Sequence, residues 1–397
     1  MHCLGGVCIG TDYENRVVTG NRADHFRPLF GVESHGHGIG VPRSSLQHNL
    51  VLCHAHILWA DEDYHLAAGI QTLHGKLLYR DLWYDKPPLA AWVYAAMGAF
   101  PGWPLRLFDA LFVLAVCAAT WRFARDLWGR REAPIAAGLM AFFLNFDLAA
   151  AVIPIAPDMF MLLPHIVAVH CAWKGKPLAA GLWCGAAFLF HTKGVFVLAA
   201  CALLAWRALP ALCLGFAIPN VAVLAGLAAA GALPPYFQQV WEWSAAYARS
   251  SPELHPIANG LRRTADWLGF HAALALGAAA FWWENRKREG WWLAAWLAIS
   301  FAGVALGARF FPRYFLQILP PMVLLASHGL TRRKALAWVA AAARTIDAAM
   351  AAPVPSPSRM PRSRSAGFPM ISSARACAVS AERWANRQWS IAAGLTR

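Results

Sequence analysis

Apolar residues in this chain come in long runs, not in the alternation expected of a half-buried strand. The runs are 104–124, 134–153, 158–173, 177–190, 195–206, 210–231, 264–283, 291–308 and 312–330. A helix needs about 20 predominantly apolar residues to cross a bilayer, and these runs reach or approach that length. Pro87–Phe100 ends at Pro101-Gly102 and is too short to span. The stretch 177–206 reads as two short spans, broken at His191-Thr192-Lys193-Gly194. Within 64–74, Leu66, Ala67, Ile70 and Leu73 fall at helical spacing, which suits a helix lying in the membrane interface. The pattern predicts an all-α polytopic membrane protein, a transmembrane helix bundle of about 10–11 spans with an interfacial helix in one loop.

The two ends read differently. Residues 1–49 hold eight Gly and five His and no apolar core of a signal peptide, so they are expected to be poorly ordered. The run Leu50–Ala60 is apolar for only 11 residues. An incomplete first helix, or one that recruits polar residues upstream, accounts for it; so does a misassigned start or a frameshift. From Pro353 to Ser373, eleven of 21 residues are Pro or Ser, a composition that cannot build a core. The expected division is a segment 1–49, a transmembrane domain 50–343, and a basic, disordered Pro/Ser/Arg-rich tail 344–397.

Composition sharpens this. Apolar types make up 58% and charged types 14% of the 397 residues, with 20 Trp and 22 Phe; an average soluble domain is about 25% charged. That excludes an ordinary cytosolic enzyme. The net charge is +14, but 331–397 hold eleven Lys/Arg against Asp347 and Glu382. The basic character is a property of the tail, and nucleic acid is not expected as a partner. The nine Cys include no CxxC pair and sit largely in apolar runs, so neither a disulfide framework nor a zinc site is indicated.

Basic clusters at Arg125/Arg130/Arg131, Lys174/Lys176, Arg286/Lys287/Arg288 and Arg332/Arg333/Lys334 all reach the cytosol only with the two-span reading of 177–206. The far side then receives 61–103, Pro154–Asp158, His191–Gly194, 232–263 and Gly307–Arg313. It also receives Asp61, Glu62, Asp63, Asp158, Lys86, Lys193 and Arg313. Each has a plain structural reading. The three acids suit a solvated helix end, Asp158 a helix N-cap, Lys86 a snorkelling lysine, Arg313 an interface anchor and Tyr314 an aromatic-belt residue. Lys193 is harder to dismiss, because a lysine within an apolar stretch costs roughly 2.5–3.5 kcal/mol on insertion scales. Asp109, Asn145 and Asp147 are expected to pair inside the bundle. His54, His56 and His65 lack a standard zinc spacing, and no metal site is expected from them.

The order D-E-x-Y at Asp61, Gly75, Tyr79 and K-P-P-L at Lys86 resembles the first loop of the dolichyl-phosphate-mannose protein mannosyltransferases. It is similar also to their bacterial relatives, among them the lipid A aminoarabinose transferases. The likeness continues through Leu105-Arg106, Leu127-Trp128-Gly129-Arg130-Arg131, Pro157-Asp158 and Thr192-Lys193-Gly194. It ends with Pro312-Arg313-Tyr314-Phe315 and Leu319-Pro320-Pro321 and covers roughly 58–330. The resemblance implies a C-type glycosyltransferase (GT-C) fold and an inverting transfer of sugar from a polyprenyl phosphate. The acceptor would be a lipid, glycan or protein on the extracytoplasmic face of a bacterial-type inner or plasma membrane. It implies Asp61 as catalytic acid/base, favoured over its neighbour Glu62, Asp158 as second acid, and Lys86 and Arg313 as phosphate partners. Lys193 and Tyr314 join the donor-phosphate candidates by their own positions.

The chemistry suits those types. A sugar phosphodiester carries a good leaving group, so a carboxylate base and fixed cations near the departing phosphate suffice. No cofactor is required, although paired carboxylates suit a divalent cation. A transporter or flippase is the rival class, yet no internal repeat of interrupted spans is visible; an inactive, truncated member of the family is the third reading. The orientation makes a direct prediction. An impermeant thiol reagent applied from outside should label Asp81→Cys and spare Lys287→Cys; the reverse pattern overturns it.

Overall fold

A computed structural model describes residues 3–4, 7–8, 60–147, 149–152, 154–249, 255–284 and 290–331. The expectations for 1–49, Leu50–Ala60, the basic clusters at 286–288 and 332–334, and the tail lie largely or wholly outside the described residues. In the unit formed by 1–22 and 344–397, Cys3–Leu4 pairs antiparallel with Val7–Cys8. In the second unit, within 23–343, the described elements are helices, joined by loops and one isolated bridge, Leu78 to Leu82.

Helix α1, Ala60–Leu73, carries Asp61, Glu62 and Asp63 in the first turn of its described part. It therefore begins before the amphipathic stretch 64–74. It packs on α2, Leu89–Ala96, where a Cβ on Gly69 would lie 2.8 Å from the Cβ of Tyr94. The bundle follows with α3 (Trp103–Leu127), α4 (Glu132–Phe146), the short α5 (Ala149–Val152) and α6 (Pro157–Trp173). Next come α7 (Pro177–Phe190), α8 (Gly194–Leu204) and α9 (Leu209–Ala229). The chain breaks between α7 and α8 at His191–Lys193, where the pattern placed a break.

After α9 come α10 (Leu233–Tyr236), a π-helical turn Phe237–Glu242, α11 (Trp243–Arg249) and α12 (Pro256–Phe270). Helices α13 (Ala272–Glu284) and α14 (Trp291–Ala305), a 3₁₀ stretch Pro312–Ile318 and α15 (Leu319–Leu330) complete the bundle. Among the described residues, Trp103–Leu127 and Trp206–Ala229 are long and apolar enough to cross a membrane by themselves, and five further apolar helices are shorter. The apolar runs counted as spans are thus often two pieces. Run 264–283 is divided at His271, and 312–330 begins as 3₁₀ helix. Hydropathy sums composition and is blind to such joints.

Small residues set the closest crossings, as expected where helix packing lacks a hydrophobic drive. Between α7 and α9, a Cβ on Gly215 would stand 2.2 Å from the Leu178 carbonyl oxygen, and one on Gly181 would stand 2.1 Å from that of Leu212. At the bundle end where α3 stops, Asp126 gathers Arg122, His170 and Lys174, tying α3 to α6. At the other end a second, smaller core joins the first loop to the segment after α9, through Leu78, Tyr79, Tyr84, Ala91, Leu227, Tyr236 and Val240.

Of the expected pairings inside the bundle, Asp147 meets His271 at 3.4 Å. Asn145 instead turns back onto its own helix at the Ala141 carbonyl. Asp109 Oδ1 is buried without a hydrogen bond among the described residues.

The α7–α9 contact predicts a contrast. Gly215→Val forces side chain into backbone, an overpacking that costs about 1–3 kcal/mol. Gly226→Val enters open space. In detergent, Gly215→Val should lower the melting midpoint by several degrees while Gly226→Val stays near the parent; equal midpoints would refute the crossing.

Candidate functional site

Glu62 and Arg106 fix the geometry of this end of the bundle. Glu62 has no exposed surface, and both its oxygens take guanidinium N–H groups of Arg106 in α3, at 2.9 and 2.5 Å. Its Oε1 also accepts the Ile155 N–H at 3.4 Å, and the Tyr94 hydroxyl donates to the Ile155 carbonyl at 2.9 Å. One carboxylate thereby joins α1, α3 and the strand of chain that leads into α6. Glu62 lies in this ion pair and not in the cluster that surrounds Asp61.

Asp61, one residue earlier, forms an ion pair with Arg313 at the start of the 3₁₀ stretch. The same guanidinium lies 3.9 Å from Asp158 through its Nε. Asp158 stands in the first turn of α6, whose cap is Ala156, so the N-cap reading of Asp158 does not hold. A second group reaches Asp158: His191 Nε2, 3.8 Å from its Oδ1. The backbone N–H of Lys193 donates to His191 Nδ1 at 3.1 Å. Burial first, then the charges of Lys193 and Lys86, push the His191 imidazolium far below its ordinary range. The ring is neutral, and its proton sits on Nε2, facing Asp158.

Lys193 itself is 5% exposed. Its ammonium has no hydrogen-bond partner among the described residues and rests 3.0 Å from the centroid of the Tyr314 ring, a cation–π contact. Burial, reinforced by Lys86 and opposed by Asp158, lowers it to about 8. Lys86 pairs with Asp85 at 2.8 Å. Burial alone would raise Asp85, but the Lys86 charge and hydrogen bond hold it below the carboxylate range. Tyr64 accepts the Asp85 N–H at 2.8 Å and stacks on Tyr84, whose hydroxyl hydrogen-bonds His65 at 2.8 Å. His65 is thus tied to Tyr84, and no cluster of three or more metal-ligating side chains occurs among the described residues.

The structure therefore brings Asp61, Asp158 and Arg313 into contact, with Lys86, Lys193 and Tyr314 within their electrostatic reach. The sequence reading missed Asp85 and His191, each one or two residues from a lysine that it singled out. Two carboxylates and three cations at one bundle end can accept a proton and stabilise a developing anion. Arg313 occupies the position between Asp61 and Asp158, so a divalent ion could join both carboxylates only after Arg313 withdrew. A shallow, open cleft of about 610 Å³ is lined by Ala248, Pro256, Ala302, Ala305, Leu306, Gly307 and Ala308.

The resemblance read from the sequence is matched by two independent comparisons. The family described as dolichyl-phosphate-mannose-protein mannosyltransferase matches residues 85–234. The crystal structure of ArnT from Cupriavidus metallidurans bound to undecaprenyl phosphate superposes with a TM-score of 0.50 at 17% identity, over 79% of this chain. The chain spans 66% of the length of that protein. No curated protein matches the chain in sequence. The fold is a GT-C-like helix bundle.

Lys193 predicts a dependence on pH. Its proton leaves near pH 8 in the folded chain and near 10.4 when unfolded. Between those values the unfolded state binds more protons, so stability from this group rises with pH. Below pH 8 the buried charge destabilises the fold by an amount on the order of 3 kcal/mol. Lys193→Met should therefore melt above the parent at pH 7 in detergent, and the gap should shrink toward pH 10. A gap that is constant with pH would place the lysine in a wetter site.

Proposed function

We propose that this chain is an integral membrane glycosyltransferase that moves a sugar from a polyprenyl phosphate to a hydroxyl-bearing lipid, glycan or protein acceptor. The reaction takes place on the extracytoplasmic side, with inversion at the anomeric carbon. The observation that carries the reading is the meeting of Asp61 and Asp158 with Arg313, beside Lys86 and Lys193, at one end of an apolar helix bundle. The matched segment 85–234 contains Lys86, Asp158 and Lys193, and the solved relative of the same fold holds a polyprenyl phosphate. Membrane lipid surrounds the apolar faces.

In this reading Asp61 takes the proton of the acceptor hydroxyl as its oxygen attacks the anomeric carbon. The bond from that carbon to the phosphate oxygen breaks, and its electron pair stays on the phosphate. Lys86, Lys193 and Arg313 stabilise that charge; lysine acts as a point charge and arginine as a fork. Asp158, oriented by neutral His191, holds Arg313 from the opposite side. Glu62 serves as the anchor that aims Asp61. The chain's own cations supply the charge that a divalent ion would bring.

The test is transfer from a purified polyprenyl-phosphate sugar in detergent. Asp61→Asn should lower turnover at least about 10²-fold with expression retained. Lys86→Ala should cost about 10²–10³-fold, as for one preorganised donor. Parent-like turnover for Asp61→Asn, together with loss in a well-folded Glu62→Gln, would mean that Glu62 is the base. Parent rates in Lys86→Ala would remove the phosphate pocket.

A further inference from the structure

Gln239 lies 153 residues after Lys86 and was not singled out by any sequence pattern. It is 6% exposed and sits within the π-helical turn Phe237–Glu242. Its Oε1 accepts the Tyr84 N–H at 2.8 Å, and its Nε2 donates to the Tyr79 carbonyl at 2.8 Å. The amide can adopt only this orientation, since a backbone N–H only donates and a carbonyl only accepts. Both partners flank Lys86 closely. The Tyr79 hydroxyl donates to the Lys86 carbonyl at 2.8 Å, and Tyr84 directly precedes Asp85, the partner of the Lys86 ammonium.

The loop that Gln239 grips is one that would not hold its shape alone. Tyr79 has φ +70, a region that a bulky residue adopts only when its surroundings impose it. Gln239 takes its carbonyl, and Tyr236 packs edge-on against its ring at 5.0 Å. Both come from the segment around the π turn. Such a turn adds a residue to a helix and is frequent at functional sites.

We infer that Gln239 is a positioning residue for Lys86: its amide clamps the 79–86 loop to the segment after α9 and so aims the Lys86 ammonium. This deepens the reading above and rests on it for the identity of the ligand.

The test uses the full chain in detergent and undecaprenyl phosphate without sugar, with binding measured by native mass spectrometry. Gln239→Leu should weaken binding about tenfold. In a Lys86→Ala background the same substitution should change nothing, because the group it positions is gone. A tenfold loss in both backgrounds, or in neither, overturns the inference. Gln239→Met, of nearly equal length, replaces the leucine variant should that one fail to fold. A ligand-free measurement runs beside it. Acylation of Lys86 by an amine reagent, read by peptide mass spectrometry, should change several-fold in rate in Gln239→Leu as the ammonium loses its place on Asp85. An unchanged rate overturns the inference even if binding falls. Absence of binding in the parent chain would defeat the donor reading alone, and the acylation rate would still decide the role of Gln239.

Discussion

A carboxylate with no exposed surface, at the edge of an apolar bundle, must be paired, because an isolated buried charge is too costly to keep. Glu62 meets that demand with both terminal guanidinium nitrogens of Arg106 and with the Ile155 N–H. Successive residues of an α-helix point about 100° apart. Once Glu62 is fixed toward α3, the rotation of α1 about its axis is fixed too, and Asp61 faces sideways to Arg313. The same ion pair holds Ile155, three residues before Asp158. The two acids of the candidate site thus owe their positions to a third acid that takes no part in the cluster. Breaking one side of such a pair is strongly destabilising, about 3–5 kcal/mol. Glu62→Gln is therefore a structural experiment as much as a chemical one.

Much of this was legible in the sequence because a bilayer fold is written in long apolar runs. The break at His191–Lys193 could be read, since a lysine in an apolar stretch of about thirty residues needs an exit. The acids and lysines that meet at this end of the bundle stand out in the sequence as well, since the charge bias in the loops groups them together. The partners could not. Arg106 opens α3 as one more basic residue, and nothing local says that it faces Glu62, 44 positions earlier. His191 and Asp85 looked like polar neighbours of the lysines, and only the turn of the chain gives them roles. Gln239 was hidden more deeply. A π turn shifts the side-chain register by one residue, so helical periodicity points the amide the wrong way. The joint at His271 was hidden because a single polar residue among apolar neighbours barely moves a sum taken over a window of about 20 residues.

Charge in the cluster is nearly balanced as it stands. Asp61, Asp85 and Asp158 face Lys86, Lys193 and Arg313, and His191 is neutral. A phosphate arriving there brings negative charge into a region that already has its counter-ions, so some cation must change partners. Lys86 is held by Asp85 in direct contact, and Arg313 is shared by two carboxylates.

Lys193 differs from both. Its ammonium is buried over the Tyr314 ring with no hydrogen bond among the described residues, and burial has already loosened its proton. An anion that meets Lys193 breaks no ion pair, replaces a cation–π contact with a direct one, and restores the proton that burial weakened. Binding at Lys193 therefore gains more than binding at a pre-paired cation of equal charge. Arg313 gains least, because it must leave its direct ion pair with Asp61 to bind. Its departure would free Asp61 to accept a proton at the moment the phosphate is in place. The order in which these cations can engage an anion follows from how each is partnered before the anion arrives: Lys193 first, Arg313 last. On the proposed reaction, that order ties release of the base to capture of the donor.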